Sequence, residues 1–262
     1  MSRSDRPRAK DIRGAYRLVS DCRDVGADLI AWQERLLRGL CDTVRAQVGI
    51  SGNMRSFGTG DAESLGSVRI GWRDKQAEQL WLDYATNIPV ERTPEYPALI
   101  GAEDRLVTRT RDQLWGREAW YRSRTFNERH KRVGIDDYII SIQRLPFADL
   151  WHSLWIHRAA DQPPFTRREW WLVRCVHEEI GRLLGNALAS AAEPKLSDLT
   201  PRQRDVLDAV LEGLAEKDAA AALGVGRATV HEHILAIYRH YGVSSRAELM
   251  ALFVGREPPT RA

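Results

Sequence analysis

The chain has 262 residues, which at about 150 residues per domain predicts one or two domains. Hydrophobic residues make up 43% of it and charged residues 29%, a balance that is typical of globular proteins and excludes disorder throughout. The formal net charge of +3 is too small to indicate a nucleic-acid partner by itself.

The N-terminus, the hydropathy and the cysteines favour a cytoplasmic protein. Residues 1–10 are polar and basic with no apolar run behind them, unlike a secretory signal peptide. No apolar run is long enough for a transmembrane helix. The three cysteines, Cys22, Cys41 and Cys175, are scattered, which favours reduced thiols over a disulfide framework or a metal knuckle. We therefore expect no membrane contact, no metal and no cofactor.

The first 190 residues predict a domain that combines helices with an antiparallel sheet. Two helical stretches open the chain, and apolar side chains follow at helical spacing, as at Leu36 and Leu40. Strands are predicted at 49–57, 66–72, 105–110, 137–145 and 151–158, helices at 75–84, 117–130 and 166–189, and a proline-rich loop at 88–97. Thr166, with Glu169 three residues on, is a predicted N-cap. This order is typical of an α+β layer.

A change in composition separates this domain from the rest of the chain. All nine tryptophans lie between Trp32 and Trp171. Residues 191–198 are small and polar and include Pro194, which predicts a linker. We therefore predict a first domain at 1–190, a linker at 191–198, a second domain at 199–255 and a tail at 256–262.

The second domain has the pattern of a helix-turn-helix. A capping box with proline at the first helical position opens a helix at Thr200. An alanine-rich helix at 217–223, a glycine turn at 224–226 and a longer helix at 227–241 follow, and a second capping box begins at Ser245. A short helix, a tight turn and a longer helix present the second helix to a major groove.

The segment 199–253 contains a series of short motifs at fixed spacing. They are Leu199-Thr200-Pro201-Arg202, Val206-Leu207, Glu212-Gly213, Lys217, Ala220, Leu223-Gly224-Val225, Thr229-Val230, His233, Gly242-Val243 and Ser245-Arg246-Ala247-Glu248-Leu249. Through these residues the segment resembles the LuxR-type (LuxR/FixJ-like) DNA-binding domain of bacterial transcription regulators. The resemblance implies an all-α four-helix module that binds promoter DNA, usually as a homodimer on a palindrome. We expect the last helix, through Leu249, Met250 and Phe253, to offer an apolar face for pairing.

Eight residues are candidates for DNA binding. They are Arg227, Thr229, His231, Glu232, Leu235, Lys217, Arg239 and Arg246. The family commonly places basic residues where this chain has His231 and Leu235, and phosphate contacts from Lys and Arg dominate affinity. We therefore expect weak binding with a small salt dependence. Residues 196–262 hold eight Lys and Arg against nine Asp and Glu, which supports an alternative, a ligand-responsive interaction protein whose DNA-binding face has decayed.

The order of elements in the first domain resembles the GAF/PAS-like sensor domains that precede many LuxR-type modules. Candidates for lining a ligand cleft are Trp72, Trp81, Trp120 and Trp155, with plain core packing as the alternative. A basic run holds Arg117, Arg122, Arg124, Arg129, Lys131 and Arg132; it is either a site for an acidic ligand or a solvated helix face. His152, His157 and His177 lack metal-ligand spacing.

No catalytic motif occurs, so we predict a transcription regulator that is not an enzyme. Its expected partners are double-stranded DNA, a second copy of the chain and a small molecule of unspecified identity.

Overall fold

The computed structural model describes residues 7–59, 62–87, 92–100, 105–145, 149–190, 199–241, 243 and 245–253. The chain divides into two compact units, one formed mainly by residues up to 191 and the other mainly by residues from 192 on. Among the described helices, none is both long enough and apolar enough to cross a membrane.

The N-terminal unit is an α+β domain with one antiparallel sheet. Its described helices are α1 (Ala9–Asp24), α2 (Leu29–Val44), α3 (Lys75–Asn87), α4 (Tyr96–Ile100), α5 (Arg111–Leu114), α6 (Arg117–Arg122) and α7 (Arg167–Leu183). Its strands are β1 (Val48–Arg55), β2 (Glu63–Ile70), β3 (Leu106–Thr110), β4 (Ile135–Arg144) and β5 (Leu150–Ala159), in the order β2-β1-β5-β4-β3. The predicted fold class is confirmed.

The sheet is covered on both faces, and its strands send alternate side chains to each. Helices α2 and α7 pack on one face, with α1 against both of them. The other face carries an aromatic core that includes Trp120 and Tyr138 and a second cluster in which Ile50 meets Trp81 of α3. Because both faces are covered, nearly all side chains of the three central strands β1, β4 and β5 are buried or half-buried.

The predicted N-cap at Thr166 is confirmed, but its helix ends earlier than predicted. Thr166 Oγ1 accepts a hydrogen bond from the Glu169 amide at 3.3 Å, and Glu169 Oε2 accepts one from the Thr166 amide at 2.8 Å. The helix ends at Leu183 rather than at 189. Leu184 is extended and Gly185 adopts the left-handed conformation with φ 77°, and neither conformation continues an α-helix.

The predicted helix at 117–130 is also wrong in part, because Ser123 breaks it. Ser123 is extended, and its hydroxyl accepts a hydrogen bond from the Phe126 amide at 3.0 Å, so it caps a new turn. That turn, Thr125–His130, is π-helical, and a 3₁₀ turn follows at Lys131–Val133. Within the predicted loop at 88–97, the described part includes the start of α4, and residues 88–91 lie outside the described residues.

The C-terminal unit is all-α. It contains α8 (Pro201–Leu211), α9 (Glu216–Leu223), α10 (Arg227–Tyr241) and α11 (Arg246–Phe253). The capping box at Thr200 is confirmed, with proline in the first turn. Apolar side chains from all four helices form one buried core, in which Val230 and Leu249 are fully covered. The predicted four-helix architecture is thereby confirmed.

A buried chain of hydrogen bonds runs across the helix-covered face of the sheet. It begins at Gln33 of α2, whose Nε2 donates to the Leu29 carbonyl and whose Oε1 accepts from Ser51 Oγ at 2.6 Å. Ser51 Oγ lies 2.9 Å from His152 Nε2, and His152 Nδ1 lies 2.9 Å from His177 Nε2. Since Ser51 has already used its hydrogen, it accepts from His152 Nε2–H.

The same logic fixes the direction of the rest of the chain. With its proton on Nε2, His152 accepts at Nδ1 from His177 Nε2–H. His177 Nδ1 then accepts from Ser141 Oγ at 2.7 Å, and Ser141 accepts from Thr108 Oγ1 at 2.7 Å. Both histidines are therefore neutral. Burial lowers the pKa of His152 to about 3 and holds the pKa of His177 well below its usual value.

We expect the N-terminal unit to lose stability as the pH falls from about 6.5 toward 3. The unfolded chain protonates its histidines near pH 6.5, whereas His152 stays neutral in the folded state until about pH 3. The free energy of unfolding is therefore fully retained above about pH 6.5 and falls below it by about 1.4 kcal/mol per pH unit for each histidine kept neutral. Urea unfolding followed by tryptophan fluorescence measures this slope, because every tryptophan lies between Trp32 and Trp171.

Replacing an exposed histidine is the control for this experiment. His231→Gln, in the C-terminal unit, leaves the slope unchanged if the buried histidines cause it. Stability that does not vary between pH 6.5 and 4.5 would contradict the neutral pair.

Candidate DNA-binding surface and ligand cavity

The turn between α9 and α10 depends on a glycine in the left-handed conformation. Gly224 has φ 63° and ends α9, with its amide directed at the Ala220 and Ala221 carbonyls. The Val225 amide then donates to the Ala220 carbonyl at 3.1 Å. A side chain with a Cβ is strained at this φ, so glycine here permits the tight turn that sets α10 against α9.

One side of α10 is buried, and the predicted DNA-contacting residues lie on the other. Val230, Ile234 and Ile237 are in the core of the C-terminal unit. The exposed residues are Arg227, Thr229, His231, Glu232 and Leu235. Lys217 of α9 is exposed too, whereas the side chain of Arg239 lies outside the described residues.

An acidic side chain that sequence reasoning missed holds two of these residues. Glu216, at the start of α9, lies 3.0 Å from His231 Nδ1 and 3.6 Å from Arg227 Nε. The hydrogen bond with His231 holds the pKa of Glu216 below its usual value, and the charge of Arg227 acts in the same direction. Because Glu216 and Arg227 are 11 positions apart and on different helices, no local spacing in the sequence signals this contact.

Arg246 has a structural role inside the C-terminal unit. Its terminal nitrogens donate to the carbonyls of Val210 and Leu214 at 2.7 Å each. These carbonyls lie at and just beyond the end of α8, so Arg246 ties α11 to that end. Its predicted contact with DNA has no support from this geometry.

The expected pairing face on α11 is largely used within the module. Leu249 is fully buried, and the ring of Phe253 packs edge-on against Tyr241 with 5.3 Å between centroids. Leu249 is therefore unavailable for pairing with a second copy, whereas Met250 and Phe253 are half-buried.

The N-terminal unit contains a cavity of about 520 Å³. That volume lies in the range of small-molecule sites, about 300–1,000 Å³. The residues that line it include Ile50, Gly52, Met54, Ser64, Ser67, Arg69, Trp81, Leu82, Tyr84, Thr93, Arg129, Ser153 and Trp155. Gly52 and Ser153 are opposite each other in the β1–β5 pair, and the absence of a side chain on Gly52 and the small one of Ser153 leave room above the sheet.

Two of the four candidate tryptophans line this cavity. Trp81 and Trp155 are on its wall. Trp72 is instead packed against Trp81, with 5.4 Å between ring centroids. Trp120 is fully buried in the aromatic core and donates from Nε1 to Asp136 Oδ1 at 2.7 Å. For Trp120 the geometry therefore favours core packing.

One side chain of the basic run is buried, and the other five are exposed. Arg122 pairs with Glu118 at 2.7 Å and Arg124 with Glu128 at 2.9 Å, both on the surface. Arg129 differs, since only 9% of it is exposed and it lines the cavity. Sequence reasoning grouped it with the exposed arginines because the break at Ser123 changes which side of the segment faces inward.

Comparison with known proteins identifies the C-terminal unit as a LuxR-type helix-turn-helix domain. Residues 197–253 match the family model described as bacterial regulatory proteins, luxR family. This match confirms the resemblance carried by the sequence motifs.

The similar curated proteins are named as regulators. One is a putative HTH-type transcriptional regulator in the exeN 3′ region of Aeromonas salmonicida, 40% identical over 73 residues, which are 26% of this chain and 37% of that protein. Another is the response regulator Rre1 of Synechocystis sp., 33% identical over 78 residues, covering 30% of this chain and 33% of that protein. The chain thus spans about a third of the length of these relatives.

Two solved structures show a partial likeness to this chain. The structure titled SdiA in complex with octanoyl-rac-glycerol is matched over 94% of this chain and 91% of that chain, with 12% identity and a TM-score of 0.41. CepR2 of Burkholderia cenocepacia, titled an N-acylhomoserine lactone dependent LuxR family transcription factor, covers 71% of this chain and 99% of that chain, with 13% identity and a TM-score of 0.41.

We expect Glu216→Gln to tighten DNA binding by the full chain. The substitution removes the charge that holds Arg227 and His231, so both are free to contact DNA. Exposed ion pairs are worth about 0.2–1 kcal/mol, so the gain is at most about fivefold for each pair released. Fluorescence anisotropy with a labelled duplex measures it.

Glu212→Gln is the matched control, since it removes an equal exposed charge from the same unit. No ion pair of Glu212 is found among the described residues. An equal gain from both variants would show a general charge effect and exclude a specific role of Glu216.

Proposed function

We propose that the protein is a sequence-specific DNA-binding transcriptional regulator of the cytoplasm, controlled by a small molecule that binds its N-terminal unit. The observation that carries the proposal is the LuxR-type helix-turn-helix, with an exposed, unburied side of α10 that begins at Arg227. No catalytic activity is part of this proposal.

The residues in the N-terminal half of α10 are of the types that contact base edges in a major groove. In helix-turn-helix proteins the first residues of the second helix contact base edges. Arg227 is the first residue of α10, and arginine donates two hydrogen bonds to guanine O6 and N7. His231 and Thr229, exposed one turn further on or less, add donors on the same part of the helix.

The cavity supports the sensing half of the proposal. Most of the surface of its wall is apolar, and polar side chains lie among the apolar ones, a combination found in small-molecule sites. The relatives do not settle the ligand, since they match only part of this chain.

One observation favours the second candidate, an interaction protein with a decayed DNA-binding face. Glu216 neutralises Arg227 and engages His231, so the surface that would meet DNA carries little net positive charge. Binding to DNA phosphates depends on positive charge, so under this second candidate the protein is expected to have no specific DNA site.

Selection of genomic fragments by the purified full chain separates the two candidates. A regulator that acts as a homodimer enriches pseudo-palindromic sites whose half-sites lie about 10 bp apart. Recovery of unrelated fragments, or footprints of a single half-site at saturation, would contradict the dimeric regulator.

Two substitutions on α10 are expected to change DNA binding in opposite directions. Leu235 is 45% exposed, and Leu235→Lys adds a cation that tightens binding to operator and random DNA alike. The slope of log affinity against log salt concentration steepens by about 0.9 for each new phosphate contact. Arg227→Ala flattens the slope and lowers discrimination at a guanine by about 1–3 kcal/mol.

Ala251→Lys controls for the added charge, because Ala251 is exposed on α11 instead of α10. Binding of all three variants and the parent across a salt series is the measurement. The same gain from a lysine at 251 as at 235 would remove the assignment of α10 as the DNA-contacting helix.

A further inference from the structure

The cavity wall carries one buried cation without a carboxylate partner. Only 9% of Arg129 is exposed, and its Nε has no hydrogen-bond partner. Among the described residues, no carboxylate lies within ion-pair distance of its guanidinium. Glu95 is the acid whose charge acts on it, but the Glu95 carboxylate already accepts hydrogen bonds from Trp115 Nε1 and Tyr138 Oη.

Aromatic rings hold the Arg129 side chain in place. Its guanidinium carbon lies 3.7 Å from the ring centroid of Trp81 and 4.1 Å from that of Tyr84. These two residues are three positions apart on α3 and so share a face. Burial lowers the pKa of Arg129 to about 10, so the group still carries its charge at neutral pH. Stacking offsets only part of the cost of burying an unpaired charge.

The charges around the cavity are therefore unbalanced. None of the described residues that line the cavity is acidic, whereas two of them, Arg69 and Arg129, are basic. Arg69 is already paired, since its Nε donates to Glu78 at 3.0 Å and its Nη1 to Ser67 Oγ at 2.6 Å. Arg129 is left as the cation that a bound molecule would neutralise.

We infer that the cavity binds a small amphipathic anion, most simply a carboxylic acid, with its carboxylate on Arg129 and its apolar body against Trp155, Met54 and Leu82. Arginine pairs with carboxylates through parallel hydrogen bonds, which makes it selective for this group. This inference rests on the proposed ligand-binding role of the N-terminal unit and names the chemical class of its ligand.

Matched pairs of acid and amide test the inference on the full chain. Heptanoate is compared with heptanamide, and 3-phenylpropanoate with 3-phenylpropanamide, by isothermal titration calorimetry at pH 7.5. The members of a pair have nearly the same shape and differ in charge. Hydrogen bonds to charged groups give an expected preference for the acid of roughly tenfold to a hundredfold.

Substitutions assign the preference to one arginine. Arg129→Met keeps an unbranched chain between Trp81 and Tyr84 and should reduce the acid-to-amide ratio to about one, whereas Arg129→Lys should retain part of it. Arg69→Met is the control, since Arg69 lines the same cavity but is already paired with Glu78, and its ratio should match that of the parent. Tryptophan fluorescence establishes whether each variant is folded. If Arg129→Met does not fold, the comparison of the acid-to-amide ratio between the parent and Arg129→Lys tests the inference.

Several results would overturn the inference. They are equal or tighter binding of the amides, an unchanged ratio in Arg129→Met, loss of the ratio in Arg69→Met, and absence of binding by both members of both pairs. Preferred binding of the amides would exclude an anionic ligand but would still agree with the proposed ligand-binding role of the N-terminal unit. DNA binding is measured in the same preparations, so its presence or absence is read independently of either result.

Discussion

The N-terminal unit depends on a sheet whose central strands are buried on both faces. Polar side chains on one face, such as Ser51, Ser141 and His152, are out of reach of solvent and must find partners among themselves. The hydrogen-bond chain through His177 supplies those partners and joins α2 and α7 to four strands. Strand register follows from this, because a slip of one residue would turn His152 toward the aromatic face.

The opposite face of the same sheet supplies the cavity. There the strands carry mostly large aliphatic and aromatic side chains, but Gly52 pairs with Ser153, and this small pair leaves space that α3 closes from above. The π-helical turn at Thr125–His130 places Arg129 at that space, between two rings of α3. Such turns often occur at functional sites. The cavity and the position of Arg129 on its wall therefore have separate structural causes.

Local signals made much of the architecture predictable. The capping box at Thr200 depends on residues three positions apart, and Gly224 marks its turn by itself, so the helix-turn-helix was visible in the sequence. The start of α7 was visible for the same reason, from the capping box at Thr166. All five predicted strands are present, and the one predicted from weak alternation at 105–110 is the short strand Leu106–Thr110. The end of α7 and the break at Ser123 were missed, because periodicity continues through both places although the backbone does not.

The candidate sites were less predictable, since they are made by residues far apart along the chain. Glu216 meets Arg227 and His231 only when α9 and α10 are folded against each other. Arg129 differs from its basic neighbours only through the rings that enclose it, and Trp72 and Trp120 differ from Trp81 and Trp155 only through which cluster each one joins. Residue type alone carries none of this information.

The single direction of the hydrogen-bond chain limits how this domain can change by mutation. Each member donates to the next and accepts from the one before, from Thr108 to Gln33, and the anchored amide of Gln33 prevents reversal. An apolar substitution at an interior position leaves a donor on one neighbour and an acceptor on the other buried and unpaired, at a cost of about 1–3 kcal/mol for each group. Apolar residues at two adjacent interior positions leave the same two flanking groups unpaired, so a paired change does not remove the cost. These six positions are therefore expected to change together or not at all.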